Sequence, residues 1–164
     1  MNETALTTSH DRCRSRLGAG VDVTADVLLV EDDPAIARLV REAFSEVGVD
    51  ATVRVIDDGT DALSALRSGP RPDLVLLDRD LPGTTGPSIL GALDEDSAIR
   101  RLPVIVLTGS DDDRDVAEAY DRGANAYVTK PEEFEGFVDL ISALDRFWLR
   151  YVRAPPEGGT RPKG

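Results

Sequence analysis

Apolar residues along this chain fall into two rhythms that alternate from one segment to the next. Val27-Leu28-Leu29-Val30 is apolar at every position and stops abruptly at Glu31-Asp32-Asp33-Pro34. Ile36, Leu39, Val40, Ala43, Phe44 and Val47 then recur at spacings of three and four, which predicts an amphipathic helix closed by Gly48. The cycle repeats with a strand over Ala51 to Ile56 and a short helix over about 58–68, ending at Ser68-Gly69-Pro70. Next come an apolar run from Leu74 to Leu77 that ends at Asp78, a turn Leu81-Pro82-Gly83, and a helix from about Gly86 to Leu93. Val104 to Leu107 ends at Thr108, and a helix over about 112–122 stops at Gly123. Ala126-Tyr127-Val128 is a short fifth strand before Lys130-Pro131, and a long helix is predicted over about 132–152.

Five strands alternating with five helices predict an α/β fold. The strands are apolar on consecutive residues, so both faces of the sheet should be covered, as in a parallel sheet. Right-handed crossovers then give a doubly wound, flavodoxin-like (βα)5 arrangement. Residues 1–25 lack sustained periodicity, and 154–164 (APPEGGTRPKG) are rich in Pro and Gly. Both are expected to be flexible tails around one domain spanning 26–153.

Composition narrows the function. The 164 residues carry 31 acids and 19 bases, a formal charge of −12. The first 25 residues are neutral and the last eleven carry +1, which leaves −13 on 26–153. Such a surface repels nucleic acid and anionic lipid, so direct binding to either is not expected. Lysine occurs only at 130 and 163, and the other 17 bases are arginine. An acidic, lysine-poor surface fits a halophile-like interior, where salt screens self-repulsion. No apolar run approaches the roughly 20 residues of a membrane span, and no secretory h-region opens the chain. A cytoplasmic location is therefore expected. Cys13 is the single cysteine, which excludes an internal disulfide, and the lone His10 lies in the first tail.

The chemistry is expected at the carboxyl ends of the strands, where open parallel sheets bind their ligands. Strand one delivers Glu31 and Asp32 there, strand three Asp78, strand four Thr108, and strand five is followed by Lys130. An acid that follows a strand is usually only a helix N-cap, and Asp33 and Asp58 are expected to be no more than that. Four strands converging on one edge need another explanation. Two carboxylates about 5 Å apart repel by roughly 3 kcal/mol at an effective dielectric near 20. Three of them call for a cation, and oxygen ligands without His or Cys suit Mg²⁺. Carboxylates, Mg²⁺, a lysine and a hydroxyl together make a phosphoryl-transfer site.

Four segments carry a family resemblance: LLVEDDP at 28–34, DLVLLDRDLPG at 73–83, PVIVLTGS at 103–110 and AYVTKP at 126–131. Together they resemble the receiver domain of two-component response regulators, over roughly 26–152. The resemblance implies that Asp78 accepts phosphate from a histidine kinase. Glu31, Asp32 and Asp78 itself then hold Mg²⁺, joined by the backbone carbonyl of Asp80, with Asp32 a more direct ligand than Glu31. It further implies that Thr108 is the switch hydroxyl, Lys130 its partner at the phosphoryl group, and Tyr127 the aromatic that turns inward. A cis Lys130-Pro131 bond is expected on the same ground. Such a protein is a signalling switch, not a conventional enzyme. Arg79 departs from the pattern, because an apolar residue usually follows the acceptor, and Thr85 stands where an acid is common.

No output module is apparent in the eleven residues after 153, so a stand-alone regulator acting by protein contact is expected. The last helix ends in Phe147-Trp148-Leu149-Arg150-Tyr151, apolar on more faces than one buried stripe requires. This ending resembles the small regulators of the cyanobacterial-phytochrome type and implies a homodimer through the helix. Two other readings compete. Asp78-Arg79-Asp80 is also the D-x-D of haloacid-dehalogenase-like phosphatases, although that family places it after the first strand. A receiver-like binding module that is never phosphorylated is the third.

Overall fold

The computed structural model describes residues 24–97 and 99–150. Five strands form one parallel sheet: β1 (Ala25–Val30), β2 (Ala51–Ile56), β3 (Leu74–Leu77), β4 (Val104–Thr108) and β5 (Ala126–Thr129). Their order across the sheet is β2-β1-β3-β4-β5, so the doubly wound arrangement expected from the sequence is the one observed. The connecting helices are α1 (Pro34–Val47), α2 (Gly59–Ser68), α3 (Gly86–Glu95), α4 (Asp113–Asp121) and α5 (Phe134–Leu144). β1 begins at Ala25, two residues before the expected start, and its amide donates to Asp50 O at 2.9 Å. Apart from Thr24 and Ala25, both expected tails lie outside the described residues.

Alternate side chains of each strand serve opposite layers, which is why the strands read as unbroken apolar runs. Val27 and Leu29, with Leu74, Leu76 and Ile105, pack under α1 and α5 through Val40, Phe44, Phe137 and Ile141. Leu28 and Val30, with Val75, Leu77, Val104 and Val106, pack under α2, α3 and α4 through Leu66, Ile89, Leu93 and Ala119. The helix starts are fixed locally. Asp33 accepts from Ala35 N, Asp58 from Thr60 N and Asp61 N, and Asp112 from Arg114 N. Asp33 and Asp58 are thus the N-caps that the sequence suggested. Gly48 ends α1 at φ 75°, in the left-handed region that glycine adopts without a steric penalty.

The last helix differs from the expectation of one continuous helix over 132–152. Its α-helical part ends at Leu144, and Asp145–Leu149 forms a π-helical turn. The wider turn has a visible partner. Asp145 is buried, and Arg150, five residues on, reaches its Oδ2 with Nε at 3.0 Å and Nη2 at 2.9 Å. An i, i+5 backbone repeat brings those two positions onto one face. It also turns Leu149 into the core and leaves Phe147 58% exposed, edge-on to Trp148 at 5.7 Å between ring centroids. Tyr151 and Val152 lie outside the described residues.

Phe137 is fully buried where α5 meets the sheet. Phe137→Ala should therefore lower unfolding stability by about 3–5 kcal/mol, read as a shift in the urea midpoint. A loss under about 1 kcal/mol would contradict the packing described.

Candidate functional site

Register brings the polar strand ends together. Val30 pairs with Ile56 on one side and Leu77 on the other, so the residues that follow, Glu31 and Asp78, emerge side by side. Leu77 pairs with Val106, and Thr108 with Thr129, so the end of β4 sits between Asp78 and the β5 exit. Lys130 N donates to Thr108 O at 2.7 Å, which ties that exit to β4. Glu31, Asp78 and Thr108 are buried, whereas Asp32 is exposed.

Glu31, Asp32 and Asp78 each offer a carboxylate oxygen, and the three oxygens lie within 4.8 Å of one another. Lys130 Nζ lies 2.8 Å from Glu31 Oε2 and 3.2 Å from Asp78 Oδ2. One ammonium thus pairs with two of the three acids. Glu31 Oε1 accepts from Asp33 N at 3.2 Å, and Asp78 Oδ1 accepts from Asp80 N at 3.1 Å. Glu31 Oε2 is buried and is held by the Lys130 ammonium at 2.8 Å. Three carboxylates with oxygens this close and only one ammonium paired with them, without a nitrogen or sulfur donor, are a donor set that fits a hard divalent cation.

Burial pushes the Glu31 carboxyl up to about 7, and the nearby Asp78 charge adds to that rise while Lys130 opposes it. For Lys130, burial works against the ammonium, but Glu31 and Asp78 outweigh it and hold its pKa above the ordinary value. Burial likewise raises Tyr127, which stays a neutral phenol and donates to Ser110 O at 2.7 Å.

The structure therefore gathers Glu31, Asp32, Asp78, Lys130 and Thr108 at one rim. Asp80 lies outside the cluster of carboxylate oxygens; its side chain is exposed and receives Arg79 Nη1 at 3.3 Å. Tyr127 is half-buried with its hydroxyl on the loop after β4, not in contact with the carboxylates. The expected cis Lys130-Pro131 bond is corrected: no cis peptide occurs among the described residues, and this bond has the trans form that X–Pro bonds ordinarily prefer. Thr85 precedes α3 without capping it by its side chain, its hydroxyl lying 3.0 Å from that of Ser88.

Arg79 is paired away from the Glu31, Asp32 and Asp78 carboxylates. Its Nη2 lies 2.7 Å from Asp115 Oδ1 on α4, and Ser110 Oγ donates to the other oxygen of Asp115 at 2.6 Å. Asp115 escapes a reading of the sequence because it follows Asp111, Asp112 and Asp113, where nothing marks one acid as structural. Ser110 closes the PVIVLTGS segment, and nothing in that segment signals a role for its hydroxyl.

Fold and rim together define a parallel α/β domain with an acid-lysine site at the carboxyl edge of its sheet. The family model for the response regulator receiver domain matches residues 27–142. Response regulator Rcp1 of Synechocystis is 33% identical over 135 residues, covering 79% of this chain and 92% of that protein. The probable methanogenesis regulatory protein FilR2 of Methanothrix harundinacea is 37% identical over 134 residues, covering 79% and 86%. Among solved structures, the phosphorylated cyanobacterial phytochrome response regulator RcpA superposes with a TM-score of 0.76 at 32% identity, over 81% of this chain and 99% of that one. The Mn²⁺-bound form of Rcp1 superposes at 0.73 with 33% identity, over 80% and 99%. The chain belongs to the response regulator receiver family, and the haloacid-dehalogenase-like reading falls away. No helix among the described residues is long and apolar enough to cross a membrane.

The raised Glu31 pKa sets a sign for stability. A carboxyl whose folded pKa lies above the unfolded value of 4.5 contributes stability below that value and loses it as pH rises through about 7. The raised Lys130 pKa acts only above 10.5 and does not enter this window. Chelator-treated protein should thus lose up to about 3 kcal/mol of this contribution between pH 4.5 and 7.5, and Glu31→Gln should lack that component. Urea midpoints across the range test it, and identical pH profiles for the two proteins would contradict it.

Proposed function

We propose that this chain is a phosphorelay switch in which Asp78 accepts a phosphoryl group from the phosphohistidine of a histidine kinase. The observation that carries the reading is the close set of Glu31, Asp32 and Asp78 carboxylates, two of them buried, with Lys130 bridging Glu31 and Asp78. Glu31 and Asp32 would hold Mg²⁺, with Asp78 and the Asp80 carbonyl completing its protein ligands. Bound there, the ion neutralises charge on the transferring phosphoryl oxygens.

An Asp78 carboxylate oxygen forms the new P–O bond as the P–N bond to the donor imidazole breaks, and the imidazole leaves with that electron pair and takes up a proton. Lys130, already 3.2 Å from Asp78, is placed to follow the charge from carboxylate to phosphoryl oxygen. The Thr108 hydroxyl, on the adjacent strand end, would donate to the phosphoryl group. Tyr127 would report that movement to a face made by α4, β5 and α5, shifting the population between two states. The chain thereby catalyses only its own phosphorylation and dephosphorylation.

The exposed Phe147, packed edge-on to Trp148, supports a homodimer through the end of the last helix. The surface charge supports a cytoplasmic setting of high salt and argues against nucleic acid as the direct partner. One domain over 26–153 remains our reading of the organisation.

Acetyl phosphate with Mg²⁺ should add one base-labile phosphoryl group, located on Asp78 by peptide mass mapping, and Asp78→Asn should abolish it. Labelling that persists in Asp78→Asn, or steady turnover of a generic phosphomonoester, would overturn the reading. For the dimer, sedimentation should give twice the chain mass, falling to one chain mass in Phe147→Glu. A wild-type protein that is monomeric with and without a phosphoryl mimic would refute it.

A further inference from the structure

The side chain after the proposed acceptor belongs to a polar chain with no part in the metal or lysine chemistry. Arg79 is anchored through its backbone, because Gly86 N donates to Arg79 O at 2.9 Å. A Cβ at Gly86 would lie 2.6 Å from Arg79 Cα, so the two segments touch backbone to backbone. The guanidinium spans to α4, with Nη2 2.7 Å from Asp115 and 4.0 Å from Glu118. Its Nε is buried without a hydrogen-bond partner, so the two Nη groups alone hold it.

Asp115 passes the restraint on. Its second oxygen accepts from Ser110 Oγ at 2.6 Å, and Ser110 then uses every remaining group locally. Its amide donates to Thr108 Oγ1 at 3.4 Å, its carbonyl accepts from the Tyr127 hydroxyl at 2.7 Å, and its Oγ accepts from Asp112 N at 3.3 Å. Ser110 thus touches both expected switch groups, and Arg79-Asp115 holds it from the acceptor's own loop.

We propose that Arg79 is a positioning residue for phosphoryl chemistry at Asp78: paired with Asp115 it fixes Ser110, and through Ser110 the Thr108 hydroxyl and the Tyr127 phenol. This rests on the phosphorelay reading above. The pair is 25% and 21% exposed, so it is largely shielded from water and held in one geometry more firmly than a surface pair. Losing it frees the loop after β4, weakens the Thr108 hydrogen bond to the phosphoryl group and exposes that group to water.

The test follows loss of the phosphoryl label after acetyl phosphate is removed, in wild type, Arg79→Met, Asp115→Asn, the double variant and the charge-swapped Arg79→Asp/Asp115→Arg. Each single change should speed loss by at least about threefold, with the double no faster than either single, as for residues in one network. The swap should move the rate back toward wild type. Mg²⁺ affinity should stay within about twofold throughout, and the amide resonances of Thr108 and Ser110 should shift in the single variants. If Arg79→Met does not fold, Arg79→Lys takes its place, a point charge without the fork, and should fall between wild type and Asp115→Asn. Rates within about 1.5-fold of wild type, or additive effects in the double variant, would overturn the proposal. A wild type that takes up no label would instead overturn the phosphorelay reading.

Discussion

Everything at the rim follows from an imbalance of charge that the sheet itself creates. Parallel register sets Glu31 and Asp78 side by side at the ends of β1 and β3, and Asp32 completes a set of oxygens within 4.8 Å. Among the described residues one ammonium, that of Lys130, sits beside them, paired with Glu31 and Asp78. Burial makes the arrangement costly, since two of the acids have almost no access to water to spread their charge. The chain relieves part of the strain by raising the Glu31 pKa to about 7 and by setting the Lys130 ammonium 2.8 Å from a Glu31 oxygen. A core optimised only for stability would not keep such a group, so the imbalance is best read as a site kept ready for a cation and a phosphoryl group.

The rest of the fold holds that rim still. Two apolar layers, α1 with α5 and α2 with α3 and α4, clamp the sheet on both faces. Neither layer donates a catalytic side chain, and every member of the rim comes from a strand end or the residues just past it. That division separates rigidity from chemistry. It lets α4 serve a second purpose, carrying Asp115 toward Arg79 and Ser110 without disturbing the carboxylates.

Much of this was legible in the sequence because it is local or periodic. Unbroken apolar runs gave the buried strands, spacings of three and four gave the helices, and each strand end displayed its polar residue openly. The rim could be assembled from those signals because parallel strands of similar length put their ends at one level. What stayed hidden depends on contacts between distant segments. Asp115 looks like its acidic neighbours until α4 is laid against β3, and Arg79 can be placed only once that partner is known. The π-helical turn was equally invisible, since its cause, a buried Asp145 held by Arg150, is a tertiary circumstance and not a feature of helix propensity. The trans Lys130-Pro131 bond marks the place where family likeness alone misled.

We propose that the carboxylates of this rim form the site of one divalent ion, and calorimetric titration of chelator-treated protein with Mg²⁺ at pH 8 and at pH 6 decides it. One saturable site is predicted, weaker at pH 6 because a proton occupies Glu31, with net proton release on binding at the lower pH. Absence of saturable binding at either pH, or binding unchanged in Asp32→Asn, would contradict it.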